Sequence, residues 1–399
     1  MTVQVRSPKK GVSRAPKSKA SGTRTAPRNP SEKEQVRSFP YPLNALYFYL
    51  TQGCNLACRH CWIAPKFQSG ENVYPSLPFE TFQDIVRQAK PLGLSGVKLT
   101  GGEPLLHPDI VSILRFAQAE RLGCTIETNG VLCTKELAAE IASCPAHFVS
   151  VSLDGADAET NEWVRGVPGC FEAAVQGIRN LVEVGIHPQI ILTVMRRNKH
   201  HVEPIIRLAE SLGASSVKYN VMMPCARGED MFHRGEALSL PELLELGRRV
   251  ENELAANTKL RLIFHHPVAF RPLGRMYGQA GDGCSQCGIF TILGVLADGS
   301  YALCGIGQQV PELVFGHAAK DRLEDVWLKN PILQDIREGL PQKLEGVCGQ
   351  CLMKDRCLGS CIAQNYYGQK NLFAPFWYCD EALKLGMFPA SRLLKKNDV

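Results

Sequence analysis

Between residues 45 and 222, short runs rich in β-branched and aromatic side chains alternate six times with amphipathic stretches of helical period. The spacing predicts strands over Ala45–Thr51, Gly96–Thr100, Thr125–Thr128, His147–Leu153, Pro188–Val194 and Ser216–Val221. It predicts helices over Pro78–Ala89, Asp109–Arg121, Lys135–Ser143, Phe171–Val184 and His201–Leu212. Strand–helix alternation implies parallel strands joined by right-handed crossovers. Six such units suggest an α/β fold built as a partial (β/α)6 TIM-like barrel, although a doubly wound sheet has the same local signature. Further along, Leu238–Ala256 reads as another helix and Leu260–Phe264 as an edge strand or linker. Gly294–Leu303 reads as a hairpin around Asp298-Gly299, followed by helices over Leu323–Arg337 and Cys379–Lys396.

Charge separates one end from the rest. The net charge is +6, yet residues 1 to 37 hold ten Lys and Arg against two Glu, which leaves 35 basic and 37 acidic residues for the remainder. A tail so rich in Pro, Ser, Lys and Arg cannot bury enough apolar surface to fold, so residues 1–40 are expected to be a disordered basic tail. It is read as solvated rather than as a docking arm for an acidic peptide or nucleic acid. No apolar run approaches the length of a membrane span, and no secretory signal opens the chain. A cytoplasmic protein is expected, with no membrane partner and no nucleic-acid partner.

In a reducing compartment, the sixteen cysteines point to metal or redox chemistry rather than disulfides. Cys124, Cys133, Cys144, Cys170 and Cys225 sit among apolar neighbours and read as small core residues. The remainder cluster. Cys54, Cys58 and Cys61 form a CX3CX2C loop after the first strand; eight more lie between residues 284 and 379. Thiolates suit iron–sulfur clusters and zinc alike, but three cysteines without a nearby fourth leave one iron of a [4Fe–4S] cube open. His200-His201 and His265-His266 are read as solvated pairs, not ligands.

With Trp62 directly after the loop, this segment resembles the hallmark of the radical S-adenosylmethionine (SAM) superfamily. Other motifs of that family follow in order, each at the end of a successive expected strand: Gly101-Gly102-Glu103-Pro104, Thr128-Asn129-Gly130, then Ser152-Leu153-Asp154-Gly155 with Arg165 beyond. The resemblance implies that Cys54, Cys58 and Cys61 hold the catalytic cluster. Trp62, Gly101, Gly102, Glu103, Asn129, Ser152, Asp154 and Arg165 would surround SAM, with Glu103 on its amino group and Ser152 and Arg165 on its ribose and carboxylate.

The C-terminal cysteines resemble the SPASM extension of the same enzymes, which implies two auxiliary [4Fe–4S] clusters. One would use Cys284, Cys287, Cys304 and Cys361; the other Cys348, Cys351, Cys357 and Cys379. The implied organisation is a barrel over 41–235, a bridging region over 236–283 and a SPASM module over 284–399. The implied partners are a peptide or protein substrate and a low-potential electron donor of flavodoxin or ferredoxin type. The implied reaction is modification of a side chain or Cα by hydrogen abstraction: a thioether, another cross-link or an epimerisation. Sulfatase-maturase-like oxidation of a protein Cys or Ser is the alternative, but Gly305 stands where those enzymes carry an Asp base. A non-catalytic iron–sulfur or zinc regulator is the other. Because the tail cannot support a core, deleting residues 1–37 should leave SAM cleavage intact; loss of 5′-deoxyadenosine release on deletion would refute this reading.

Overall fold

Leu46 and Phe48 are fully buried and alternate with half-buried Ala45 and Tyr47, so the first strand turns one face to a helical layer and the other to an interior space. The computed structural model describes residues 41–70, 72–278 and 287–394. In it the six expected strands are β1 (Ala45–Tyr49), β2 (Gly96–Thr100), β3 (Gly123–Thr128), β4 (His147–Ser152), β5 (Gln189–Val194) and β6 (Ser216–Val221). They pair in sequence order and all in parallel. Helices cover the outer face: Phe48 meets Phe82 of the helix Phe79–Ala89 with ring centroids 4.4 Å apart.

The sheet continues beyond both ends of this run. β7 (Arg261–His265) pairs in parallel with β6, as the edge-strand reading allowed. At the other end, β8 (Ile292–Val295), the first arm of the expected hairpin, pairs in parallel with β1, Ala45 beside Ile292 through Phe48 beside Val295. β9 (Ser300–Ala302) and β10 (Val314–His317) then add antiparallel strands. The sheet therefore has ten strands in the order β10-β9-β8-β1-β2-β3-β4-β5-β6-β7, eight of them in one parallel run rather than six. The hairpin signal is local and says only that β8 meets β9. The backbone groups on the free edge of β1 also needed partners, and β8 supplies them.

Three expectations are corrected. The helix expected over Leu323–Arg337 is two, Leu323–Lys329 and Pro331–Gly339, because Pro331 cannot continue the first; Asn330 caps the second by accepting from the Ile332 and Leu333 amides. The last helix spans Trp377–Lys384 and ends at Gly386, whose φ of 68° lies in the left-handed region. His201 and His266 are buried rather than solvated. His201 bonds Thr160 Oγ1 at 2.9 Å and accepts from the Ala156 amide, and His266 faces Glu251 at 3.1 Å. The five scattered cysteines are all buried, as expected of core residues. The expectations for residues 1–40 and for Cys284 lie outside the described residues. No helix among the described residues is long and apolar enough to cross a membrane.

Trp327 ties the C-terminal helices to the start of β1. It is fully buried, its indole N–H donates to the Tyr41 carbonyl at 3.0 Å, and the Arg337 guanidinium covers its ring at 4.1 Å. Trp327→Ala should cost about 3 to 5 kcal/mol of stability, read as a lowered denaturation midpoint; an unchanged midpoint would remove this residue from the core.

Candidate active site

The cysteine loop is fixed by its neighbours before any ligand is considered. Gly53–Cys54 pairs with Lys66–Phe67, and the Ala57 and Arg59 amides donate to the carbonyls of Arg165 and Val164 at the end of the helix Ala158–Arg165. Cys54, Cys58 and Cys61 then line one cavity of about 140 Å³ together with Glu103, Asn129, Ser152 and Arg165. Among the described residues, no three His, Cys, Asp or Glu side chains are gathered as a single metal ion would need. Burial pushes the Cys58 thiol up to about 11 even though the Arg165 charge pulls it down, and burial raises Cys54 as well. Such thiols ionise only beside a strong cationic centre, which fits a cluster rather than free nucleophiles.

The loop after β2 reaches this cavity because it has no side chains in the way. A Cβ on Gly102 would stand 1.9 Å from the Gly53 carbonyl oxygen, and Gly101 has a φ of +131° with Leu50 N 2.9 Å from its would-be Cβ. Only glycine fits at both positions. Glu103, 1 % exposed, accepts from Thr128 Oγ1 at 2.6 Å, from the Asn129 amide at 2.9 Å and from the Leu105 amide at 3.1 Å. Burial nevertheless lifts its carboxyl to about 7, so a cationic amino group beside it would restore its charge. Asn129 also donates to Asn55 Oδ1 at 2.8 Å, which joins the third motif to the cysteine loop.

Arg165 Nη2 meets Asp154 at 2.8 Å, and its Nη1 donates to Cys58 Sγ at 3.6 Å. Its Nε is buried without a partner, a donor left over for an anionic group such as a carboxylate. Asp154 is fully buried and also takes His60 Nε2 at 2.7 Å and the Thr193 amide at 2.8 Å. It does not line the cavity; it holds Arg165 and His60 in place. Trp62 is not in the lining either, and its ring meets Tyr49 edge-on at 6.5 Å. Arg227 and Glu127, by contrast, line the cavity and were absent from the sequence reading. Arg227 donates to the Cys58 carbonyl at 3.2 Å from the first residue of the short helix Arg227–His233, which no sequence motif marked. Glu127 had a signal: a charged residue near the end of a strand, directly before Thr128-Asn129-Gly130.

The C-terminal cysteines separate into two further groups. Cys287, Cys304 and Cys361 line one apolar cavity of about 40 Å³, and Cys348, Cys351, Cys357 and Cys379 line another of about 10 Å³. Backbone amides already donate to two of these sulfurs, Phe376 to Cys348 at 3.4 Å and Met353 to Cys351 at 3.3 Å. Burial raises Cys357 to about 12, so that thiol too needs a metal centre to be ionised. In both places the residues fit an iron–sulfur cluster.

Comparison with known proteins agrees. The radical SAM superfamily model matches residues 48–209 and an iron–sulfur cluster-binding (SPASM) domain model matches residues 284–352. The mycofactocin maturase MftC of Mycobacterium ulcerans (strain Agy99) is 30% identical over 340 residues, 83% of this chain and 87% of that protein. An AdoMet-dependent heme synthase of Methanosarcina barkeri (strain Fusaro) is 28% identical over 343 residues, 83% and 94% of the two chains. Among solved structures, Streptococcus suis SuiB bound to its precursor peptide SuiA aligns with a TM-score of 0.66 at 19% identity over 87% of this chain and 77% of that one; at this identity the likeness shows the fold. The chain therefore belongs to the radical SAM superfamily, as an enzyme of the SPASM type that takes SAM at a [4Fe–4S] cluster and carries auxiliary iron–sulfur clusters.

Proposed function

We propose that this enzyme modifies a peptide or protein, at a side chain or at Cα, by abstracting hydrogen from a C–H bond. The reading rests on the cavity in which three thiols meet Glu103, Ser152 and Arg165, and on the 30% identity to a mycofactocin maturase. Bound at the cluster and cleaved at its C5′–S bond by one electron from a low-potential donor of flavodoxin or ferredoxin type, SAM would supply a 5′-deoxyadenosyl radical and release methionine. Cys54, Cys58 and Cys61 would hold the cluster, Glu103 would accept from the amino group of SAM, and Arg165 and Ser152 would hold its carboxylate and ribose, with Asn129 beside them. Asp154 acts through Arg165, since a buried guanidinium needs a counter-charge to stay placed.

The two C-terminal groups would hold the auxiliary clusters, with Cys284 completing the set of Cys287, Cys304 and Cys361. On this basis we divide the chain into a barrel over 41–235, a bridging region over 236–283 and a SPASM module over 284–399. Sulfatase-type oxidation is disfavoured by packing as well as by sequence. A Cβ on Gly305 would stand 2.3 Å from the Tyr49 ring, so no Asp base fits there.

Anaerobic reconstitution with iron, sulfide, SAM and dithionite should release 5′-deoxyadenosine. Changing Cys54, Cys58 and Cys61 together to Ala should abolish that release while iron stays bound at the C-terminal cysteines; full release by the triple variant would sink the assignment. Peptides encoded beside the gene should change mass on incubation, whereas conversion of a tetrapyrrole with every peptide unaltered would replace the peptide reading. Asp154→Asn should weaken SAM binding by roughly tenfold or more, because it leaves Arg165 buried without its counter-charge. Equilibrium dialysis checks this.

A further inference from the structure

Between β6 and the helix Arg227–His233, the sequence Met223-Pro224-Cys225-Ala226-Arg227-Gly228 makes a tight, irregular turn. Ala226 has φ 51° and ψ −125°, a left-handed backbone that costs free energy in any residue with a Cβ. A Cβ on Gly228 would stand 2.2 Å from the Met223 carbonyl oxygen, so only glycine closes the turn. Strain of this kind persists only where the surroundings fix it. Here the fixing group comes from far along the chain. The Tyr367 hydroxyl accepts from the Ala226 amide at 3.3 Å and donates to Glu229 at 2.8 Å. Tyr367 stands on the helix Ile362–Gln369, which starts directly after Cys361.

The turn delivers Arg227 to the cysteine loop. Its Nη1 donates to the Cys58 carbonyl at 3.2 Å, its Nη2 donates to the Pro65 carbonyl, and its side chain lines the thiol cavity. One guanidinium thus spans both ends of the arc that carries Cys61, as its planar fork allows. That arc has less other support than the rest of the loop. Cys54 lies in a strand ladder, and the amides on either side of Cys58 bond to the helix Ala158–Arg165. Within the arc, the Cys61 amide reaches the Cys58 carbonyl only at 3.4 Å, Gln309 donates to the Ile63 carbonyl at 2.9 Å, and Ala64 has a left-handed φ of 51°. Cys54 and Cys58 are buried, whereas Cys61 is half-buried.

We propose that Arg227 is a positioning residue for the SAM-binding cluster: it clamps the Cys61 arc from Cys58 to Pro65, sets a positive charge in the cavity wall, and is held there by Tyr367. The charge favours the reduced state of the cluster, since iron–sulfur potentials follow the net charge and hydrogen bonding around the sulfurs. A residue of the helix after Cys361 thereby acts on the cysteine loop far earlier in the chain. The inference rests on the assignment of Cys54, Cys58 and Cys61 to that cluster.

The test uses the full chain, reconstituted anaerobically with iron and sulfide and poised by redox titration. The cluster is followed by the electron paramagnetic resonance signal that changes when SAM is added. Arg227→Met should lower the reduced-to-oxidised ratio at a fixed potential by about tenfold, a midpoint lower by about 59 mV for one electron. Arg227→Lys keeps the charge and should restore most of that ratio. Tyr367→Phe deletes one oxygen from a half-buried ring, so it decides the matter even if the Arg227 variants do not fold. It should move the ratio in the same direction by about threefold, the effect of one lost hydrogen bond. Lys135→Met, which removes an exposed charge of the same sign, should change nothing. Either Arg227→Met or Tyr367→Phe, loaded with iron and titrating as the wild type does, overturns the proposal. So does an equal shift in Lys135→Met, and an Arg227→Lys variant no better than Arg227→Met overturns the role given to the charge. A wild type with no SAM-responsive signal would instead overturn the cluster assignment itself.

Discussion

Everything at the thiol cavity depends on one buried ion pair. Asp154 and Arg165 meet at 2.8 Å with both side chains almost wholly out of solvent. Removing two charges from water costs several kcal/mol per ion, so a pair like this persists only if its remaining donors and acceptors are also satisfied. Asp154 is satisfied by His60 and the Thr193 amide, and its backbone by Asn161 and Asn198. Those partners come from the cysteine loop, from β5, from the helix after β4 and from the turn after β5. The pair therefore cannot form unless four segments are already in place. Arg165 then offers Nη1 to Cys58 and keeps Nε free, so a site for an anionic group exists before the group arrives.

The same reasoning explains why the inner face of the sheet is polar while the outer face is apolar. On the outer face, residues such as Leu46, Phe48, Val97 and Leu99 pack against helices and are nearly or wholly buried. On the inner face the alternating positions carry Tyr47, Lys98, Glu127, Ser150 and Lys218. A packed barrel would fill that space with branched apolar side chains. Here several inward positions are charged or polar, and Lys98 and Glu127 pair across neighbouring strands at 2.6 Å.

Where the signal was local, the sequence could be read well. The six strands of the barrel appear within a residue or two of their expected limits at most positions, because each carries its own period. The motifs fall at strand ends because the spacing places them there. Pairing between distant segments was not local. Nothing in Ile292–Val295 tells that its partner is β1, some 250 residues earlier, rather than the hairpin arm alone. His201 and His266 looked solvated because their partners, Thr160 and Glu251, are far away in sequence and unmarked by any pattern. The break at Pro331 was readable and followed a simple rule, yet the apolar period on either side of it masked the stop. Arg227 needed three dimensions.

The pairing of β8 with β1 has a further consequence for the cysteines. Cys304 follows β9 and returns beside β8: a Cβ on Gly294 would lie 2.8 Å from the Cys304 Cα. Tyr49, at the end of β1, packs its ring against Gly305 and edge-on against Trp62, the residue after Cys61. Cys304 thus follows a strand of the sheet that holds β1, while Cys54 pairs with Phe67 in a separate two-stranded sheet. Slipping β8 by one residue would turn its buried face outward and carry Cys304 away from Cys287 and Cys361. Register, fixed by the backbone ladder between β1 and β8, therefore sets where Cys304 lies relative to β1. Since β8 and β9 extend the same sheet as β1, no hinge stands between Cys304 and the strand that precedes the CX3CX2C loop.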